Sequence, residues 1–153
     1  MCFIKSIFKR GGTTGNTPSP RVEIDYGDIT YGDKTITVKN LEPDVTITTV
    51  QNTNSMESLL DVGHTIVTSN NTKYMDNLGV GDIITWRNSD TGRGIIHQIT
   101  IIANDDQGTY YSTQGVNLNK ADSAKIRKSD IHSVLLAIIF TKSVGRFVPA
   151  EGD

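Results

Sequence analysis

Three short stretches of the 153-residue chain carry side chains that could cooperate in acyl transfer. The first reads Thr53-Asn54-Ser55-Met56-Glu57-Ser58-Leu59-Leu60. Ser55 follows a β-type run and precedes residues without β-branches, so its hydroxyl falls where a strand gives way to a turn or a helix start. Backbone N–H groups at such a point lack intrahelical partners and can hold a developing oxyanion. The same place is the ordinary position of a capping serine, and Glu57 and Ser58 agree with that reading too. The second stretch is Gly94-Ile95-Ile96-His97-Gln98-Ile99, where a histidine interrupts an apolar strand. A titratable ring is costly to bury without a partner, and an imidazole with an ordinary pKa near 6.5 suits a general base at neutral pH. A hydrogen-bonded core histidine would look the same. The third stretch runs from Ser112 to Asp122 and offers a loop carboxylate that could orient an imidazole. Taken alone, it could equally be a solvated aspartate.

The elements that would position these groups are mostly strands. Val22–Asp25, Thr35–Lys39, Asp44–Val50, His64–Ser69, Ile83–Arg87, Ile95–Ala103, Thr109–Thr113 and Ile131–Thr141 are rich in Val, Ile and Thr or alternate apolar with polar residues. Tyr31-Gly32-Asp33-Lys34, residues 88–94 and residues 104–108 supply turn chemistry. Residues 70–73 and 114–122 read as polar loops, and residues 55–60 as the start of a short helix. The expectation is a mainly β protein of coiled antiparallel sheets with a short helix after Ser55. Residues 1–20 form a tail ending in the Gly/Thr/Pro-rich GGTTGNTPSP, a β domain spans 21–142, and 143–153 form a second tail.

Composition narrows the function classes. The formal net charge is −2, which gives no nucleic-acid footprint, and the cluster Lys125, Arg127 and Lys128 reads as a solvated face. The one cysteine, Cys2, excludes an intramolecular disulfide, and His64, His97 and His132 lack metal-ligand spacing, so neither a metal nor another cofactor is expected. No stretch approaches the roughly 20 apolar residues that cross a bilayer. Residues 1–10 place Phe3, Ile4, Ile7 and Phe8 beside Lys5, Lys9 and Arg10, a pattern compatible with peripheral contact with an anionic membrane surface and equally with a frayed terminus.

Order and spacing join the three stretches. Across residues 49–139 the chain resembles the type I signal peptidases. TNSMESLL stands where that family has approximately SGSMEPTL. Gly81-Asp82 precedes an apolar strand, Ile96-His97-Gln98-Ile99 matches the strand bearing the base, Thr113-Gln114-Gly115-Val116-Asn117 with Asp122 matches the TKGDNN region, and Asp130-Ile131 opens a last strand. The resemblance implies a serine endopeptidase of the histidine-bearing branch, cleaving an extended peptide or precursor protein after small residues. Ser55 would be the nucleophile, His97 the base and Asp122 its orienting partner, with Thr53 and the Ser55 N–H as oxyanion donors. Met56, Val62, Ile83 and Ile96 are assigned to the substrate side, and Asp82 to a turn. The chain departs from the pattern at Asn54 for glycine, Ser58 for proline, His64 and Val116 for aspartates, and in showing no N-terminal span. Those departures keep a second reading open, a non-catalytic β-rich interaction or structural module. A self-cleaving repressor-type peptidase would carry a lysine where His97 stands.

Overall fold

The computed structural model describes residues 18–41, 44–52 and 54–142. The segment at 1–10, most of the linker, Thr53 and the tail from 143 lie outside the described residues. The described chain is mainly β. Its strands are β1 (Ile29–Gly32), β2 (Thr35–Val38), β3 (Val45–Thr49), β4 (Thr65–Ser69), β5 (Ile83–Arg87), β6 (Gly94–Asp105), β7 (Gly108–Gln114) and β8 (Ile131–Ile139). The first two pair only with each other. The other six form one antiparallel sheet in the order β3-β4-β8-β5-β6-β7. Among the described residues no helix is long and apolar enough to cross a membrane.

Two apolar clusters lie against this sheet. One gathers Ile84, Trp86, Ile99, Tyr111, Ile126, Ile131 and Val134 with Tyr74 and Met75. The other gathers Val50, Met56, Leu60, Ile66, Ile83 and Leu135. Neighbouring residues Ile83 and Ile84 serve different clusters, as do Val134 and Leu135, because side chains alternate across a strand. Strands β5 and β8 thus contribute to both clusters, one from each face, which explains the consecutive apolar residues Ile83-Ile84 and Val134-Leu135. The ladders slip at three places: Val67/Thr68 against β8, Thr85/Trp86 against β8, and Ile99/Ile101 on β6 against β7. Such bulges bend and twist a sheet and re-aim side chains. At the second of them Thr85 faces Ser133 and Trp86 faces Ile131, so His132 is the extra residue.

Three expectations are corrected. Among the described residues the first strand is Ile29–Gly32, and Val22–Asp25 is not a strand. The Asp82 carboxylate, fully buried, accepts the N–H groups of Arg21 at 2.6 Å, Val22 at 3.2 Å and Gly79 at 2.7 Å. Those donors serve a side chain instead of a ladder. The described chain begins at Pro18, whose carbonyl lies 2.5 Å from where a Cβ on Gly81 would stand, and Gly81 adopts φ +105°. A side chain there would collide with the N-terminal segment and strain the backbone. Second, residues 70–73 are not simply a loop. Asn71 accepts a bond from Lys73 N at 2.9 Å and caps helix α1 (Thr72–Met75), whose Tyr74 and Met75 anchor it in the core. Third, no helix follows Ser55. Residues 55–59 form successive turns, and Ser58 takes φ +74°, a left-handed value that a continuing right-handed helix excludes.

Candidate active site

The site is built from two neighbouring strands and two loops. Strand β6 carries His97, which pairs in register with Ile84 of β5 and is 6% exposed. Strand β7 runs beside it and ends near Thr113, whose side chain is fully buried. After β7 the chain loops out and returns, and Asp122 N donates to Thr113 O at 2.8 Å. That bond sets the Asp122 carboxylate against both strands. Its Oδ2 lies 2.6 Å from His97 Nδ1 and accepts the Thr113 hydroxyl at 2.5 Å. An ionised carboxylate has no proton to give, so Nδ1 is the donor. In the neutral ring the lone pair then falls on Nε2. The orientation is that of a base held by a carboxylate.

The imidazole Nε2 is close to the Ser55 turn. A Cβ built on Gly115 would lie 2.9 Å from His97 Nε2 and 2.4 Å from the Ser55 carbonyl. One glycine therefore threads between the ring and the serine backbone, and any larger residue would push them apart. The loop is also tied to the turn directly. Asn117 N donates to Ser55 O at 3.0 Å, and Asn117 Nδ2 donates to Asn54 O at 2.9 Å and to Glu57 Oε2 at 3.3 Å. The loop that presents Asp122 to His97 thus also clamps the residues around Ser55.

The turn itself is anchored from below. Met56 and Leu60 are buried in the second cluster, each worth about 1.5–3 kcal/mol, and Leu60 N closes a single turn onto Met56 O at 2.7 Å. Asn54 sits at φ +56°, where the resembled family has glycine, and asparagine is among the side chains that tolerate this region best. Ser58, at the position of the family's proline, has a φ that no proline ring reaches. The turn after Ser55 therefore follows a path of its own. Ser55 is half-buried.

No protein-family model matches the chain, and no curated protein or solved structure matches it significantly.

Ser55 and His97 both line a cleft of about 540 Å³. Of the four residues assigned to the substrate, Ile96 lines this cleft. Met56 and Ile83 do not; they are core residues, 1% and 2% exposed, packed beneath the site. Val62 is exposed on the 61–63 loop and does not line the cleft. Thr53 falls outside the described residues, so of the two expected oxyanion donors only Ser55 can be placed, at the start of the turn. Asp82 is a structural carboxylate, as its three N–H partners show. Among the described residues no cluster of His, Cys, Asp and Glu has the arrangement of metal ligands. Thr113 is the contributor that the sequence reading passed over. Its signal was available: alternation along β7 puts it on the buried side with Tyr111, and a buried hydroxyl requires a partner.

Proposed function

We propose that this chain is a serine endopeptidase in which Ser55 is the nucleophile, His97 the general base and Asp122 the carboxylate that orients it. The observation that carries the reading is the 2.6 Å contact between His97 Nδ1 and Asp122 Oδ2, with Nε2 turned toward the Ser55 turn across Gly115. In the first step Ser55 Oγ attacks a peptide carbonyl as His97 Nε2 takes its proton. The tetrahedral intermediate collapses, the C–N bond breaks, and the imidazolium gives its proton to the leaving amine. Water then enters, His97 takes a proton from it, and the ester to Ser55 is hydrolysed to a carboxylate product with the serine restored. Asp122 stabilises the imidazolium at each stage, and the Ser55 N–H is the expected oxyanion donor.

A fluorophosphonate, which phosphonylates activated serines with loss of fluoride, tests this reading on the intact chain. Mass spectrometry is expected to find the adduct on Ser55, absent from Ser55→Ala and formed about 10²–10⁴-fold more slowly in His97→Ala. An adduct on another serine, or none on a folded protein, rules the reading out.

A further inference from the structure

The cleft beside Ser55 is the open end of the second apolar cluster. Val50, Ile66 and Ile96 belong to that cluster and also line the cleft, with Ile95 adding to it. The cleft crosses the sheet from β4 to β6 and meets a second depression of about 390 Å³. The two share Ile66, Thr85 and the bulged His132. Beyond that junction the lining changes character: Thr46, Thr48, Thr68, Asn70 and Ser133 replace aliphatic side chains with hydroxyls and an amide. Among the described residues, neither depression is lined by Asp, Glu or Lys. Their ionisable groups are Arg93, His97 and His132. Arg93 is exposed at the β5–β6 turn and forms no ion pair with the described residues.

We infer that the substrate is an extended peptide with a bulky apolar side chain, of leucine or phenylalanine size, beside the cleaved bond, followed by uncharged polar residues over the hydroxyl-lined trough. This deepens the peptidase reading and rests on Ser55 being the nucleophile. Three features carry it. The cleft is several times larger than an alanine methyl requires, and Val50, Ile66, Trp86, Ile95 and Ile96 give it a mainly apolar lining, so a large apolar group gains most from filling it. A small residue would leave that space to water. The trough offers donors and acceptors that pair with amides and hydroxyls and would strand an aliphatic chain. Arg93 is a permanent cation beside the path, so a lysine or arginine on the substrate meets repulsion there, while a carboxylate reaching Arg93 is attracted. The preference for size therefore runs opposite to the small residues that the sequence resemblance implies.

Quenched fluorescent peptides that share one polar sequence, with Leu, Phe, Ala or Lys flanking the bond, test the inference. The Leu and Phe peptides are expected to show kcat/KM at least about tenfold above the Ala peptide, with the Lys peptide poorest. An acidic residue placed toward Arg93 is expected to raise kcat/KM several-fold at low salt. Arg93→Glu is expected to reverse that preference in favour of lysine, and added salt to erase it. Cleavage that depends on Ser55 but favours alanine overturns this inference and leaves the peptidase reading intact. If no peptide is cleaved and the fluorophosphonate leaves Ser55 unlabelled, the peptidase reading fails. This inference falls with it. If Ser55 is labelled but no peptide is cleaved, the cleft is decided by binding: methyl NMR of Ser55→Ala protein, where shifts at Ile66 and Ile96 with the Leu peptide and not the Lys peptide uphold the inference. Silence at both methyls overturns it.

Discussion

At the scale of single residues, the arrangement around His97 depends on how firmly one carboxylate is held. Asp122 Oδ2 serves two donors, the ring Nδ1 and the Thr113 hydroxyl. Thr113 touches neither the cleft nor the ring nitrogen that faces Ser55; it acts through Asp122 and is a positioning residue. Thr113→Val keeps the shape and deletes the donor. In the proposed peptidase it is expected to lower kcat about tenfold, the effect of roughly 1.4 kcal/mol, with KM nearly unchanged, and Thr113→Ser should recover most of the loss. Steady-state kinetics on one peptide separates this from general destabilisation, which would lower the amount of active protein and which serine would not selectively rescue. The same pair shows what the sequence disclosed. His97 and Asp122 lie 25 positions apart and no periodicity links them; the order of boxes in a resembled family did. Val116, standing where that family has a first loop aspartate, is 40% exposed, and among the described residues Asp122 provides the carboxylate beside the ring. Thr113 required knowing that β7 buries its odd-numbered side, and alternation along that short strand carried the information.

At the scale of elements, the decisive piece is the loop from Gly115 to Asp122, which joins the serine turn to the histidine strand. Gly115→Ala is expected to cost about 1–3 kcal/mol in chemical denaturation and to reduce activity more than stability, because the added methyl would collide with Ser55 O and His97 Nε2. Position 58 gives a second test. Its φ of +74° strains serine, so Ser58→Gly is expected to raise the unfolding free energy by about 1 kcal/mol. Ser58→Pro, which would install the residue of the resembled family, is expected to lower it by about 3 kcal/mol or more. The second result would be paradoxical on the resemblance alone and follows directly from the backbone. Here the sequence was a partial guide. Strands β4, β5 and β8 were legible within two residues because buried Ile and Val runs bounded by Gly, Asn and Asp have few other ways to fold. The helix expected after Ser55 was not formed, since Met56 and Leu60 reach the core through a single turn and Ser58 ends it. Helix α1 escaped notice because four residues are too few to show a period. The hairpin β1–β2 was half-read: its residues are all exposed, so no burial pattern marked where the first strand begins.

At the scale of the whole molecule, side-chain anchors hold the chain between strands. Asp82 fixes the segment at 18–22 to the start of β5, and the return of the chain after Asp122 is fixed at Ile126, which exchanges both backbone bonds with Tyr111 at 2.8 and 2.9 Å. Next to that bridge the basic cluster, expected to be merely solvated, is engaged. Lys125 Nζ and Arg127 Nη2 each reach Asp105 at 2.8 Å, and Arg127 Nη1 also donates to Gly108 O at 2.9 Å. Both cations lie over the Tyr110 ring. The hairpin tip of β6 and β7 is thereby stapled to the end of the loop that carries Asp122. The bonds from Lys125 and then Arg127 hold the Asp105 carboxyl well below its ordinary value of 3.8. A carboxylate depressed in the folded state stabilises the fold above its unfolded value, and the contribution disappears as pH falls through the folded value. Asp105 therefore adds stability at neutral pH that begins to fade below about pH 4. Urea denaturation of wild type and Asp105→Asn should give midpoints that differ at pH 7 and converge as the pH is lowered from 4 toward 2. Added salt should narrow the neutral-pH gap because the partners are partly exposed. A gap that persists unchanged into acid would mean that Asp105 contributes by shape instead of charge, and the staple on the Asp122 loop would then have to be sought in the Arg127 contacts to Gly108 and Thr109.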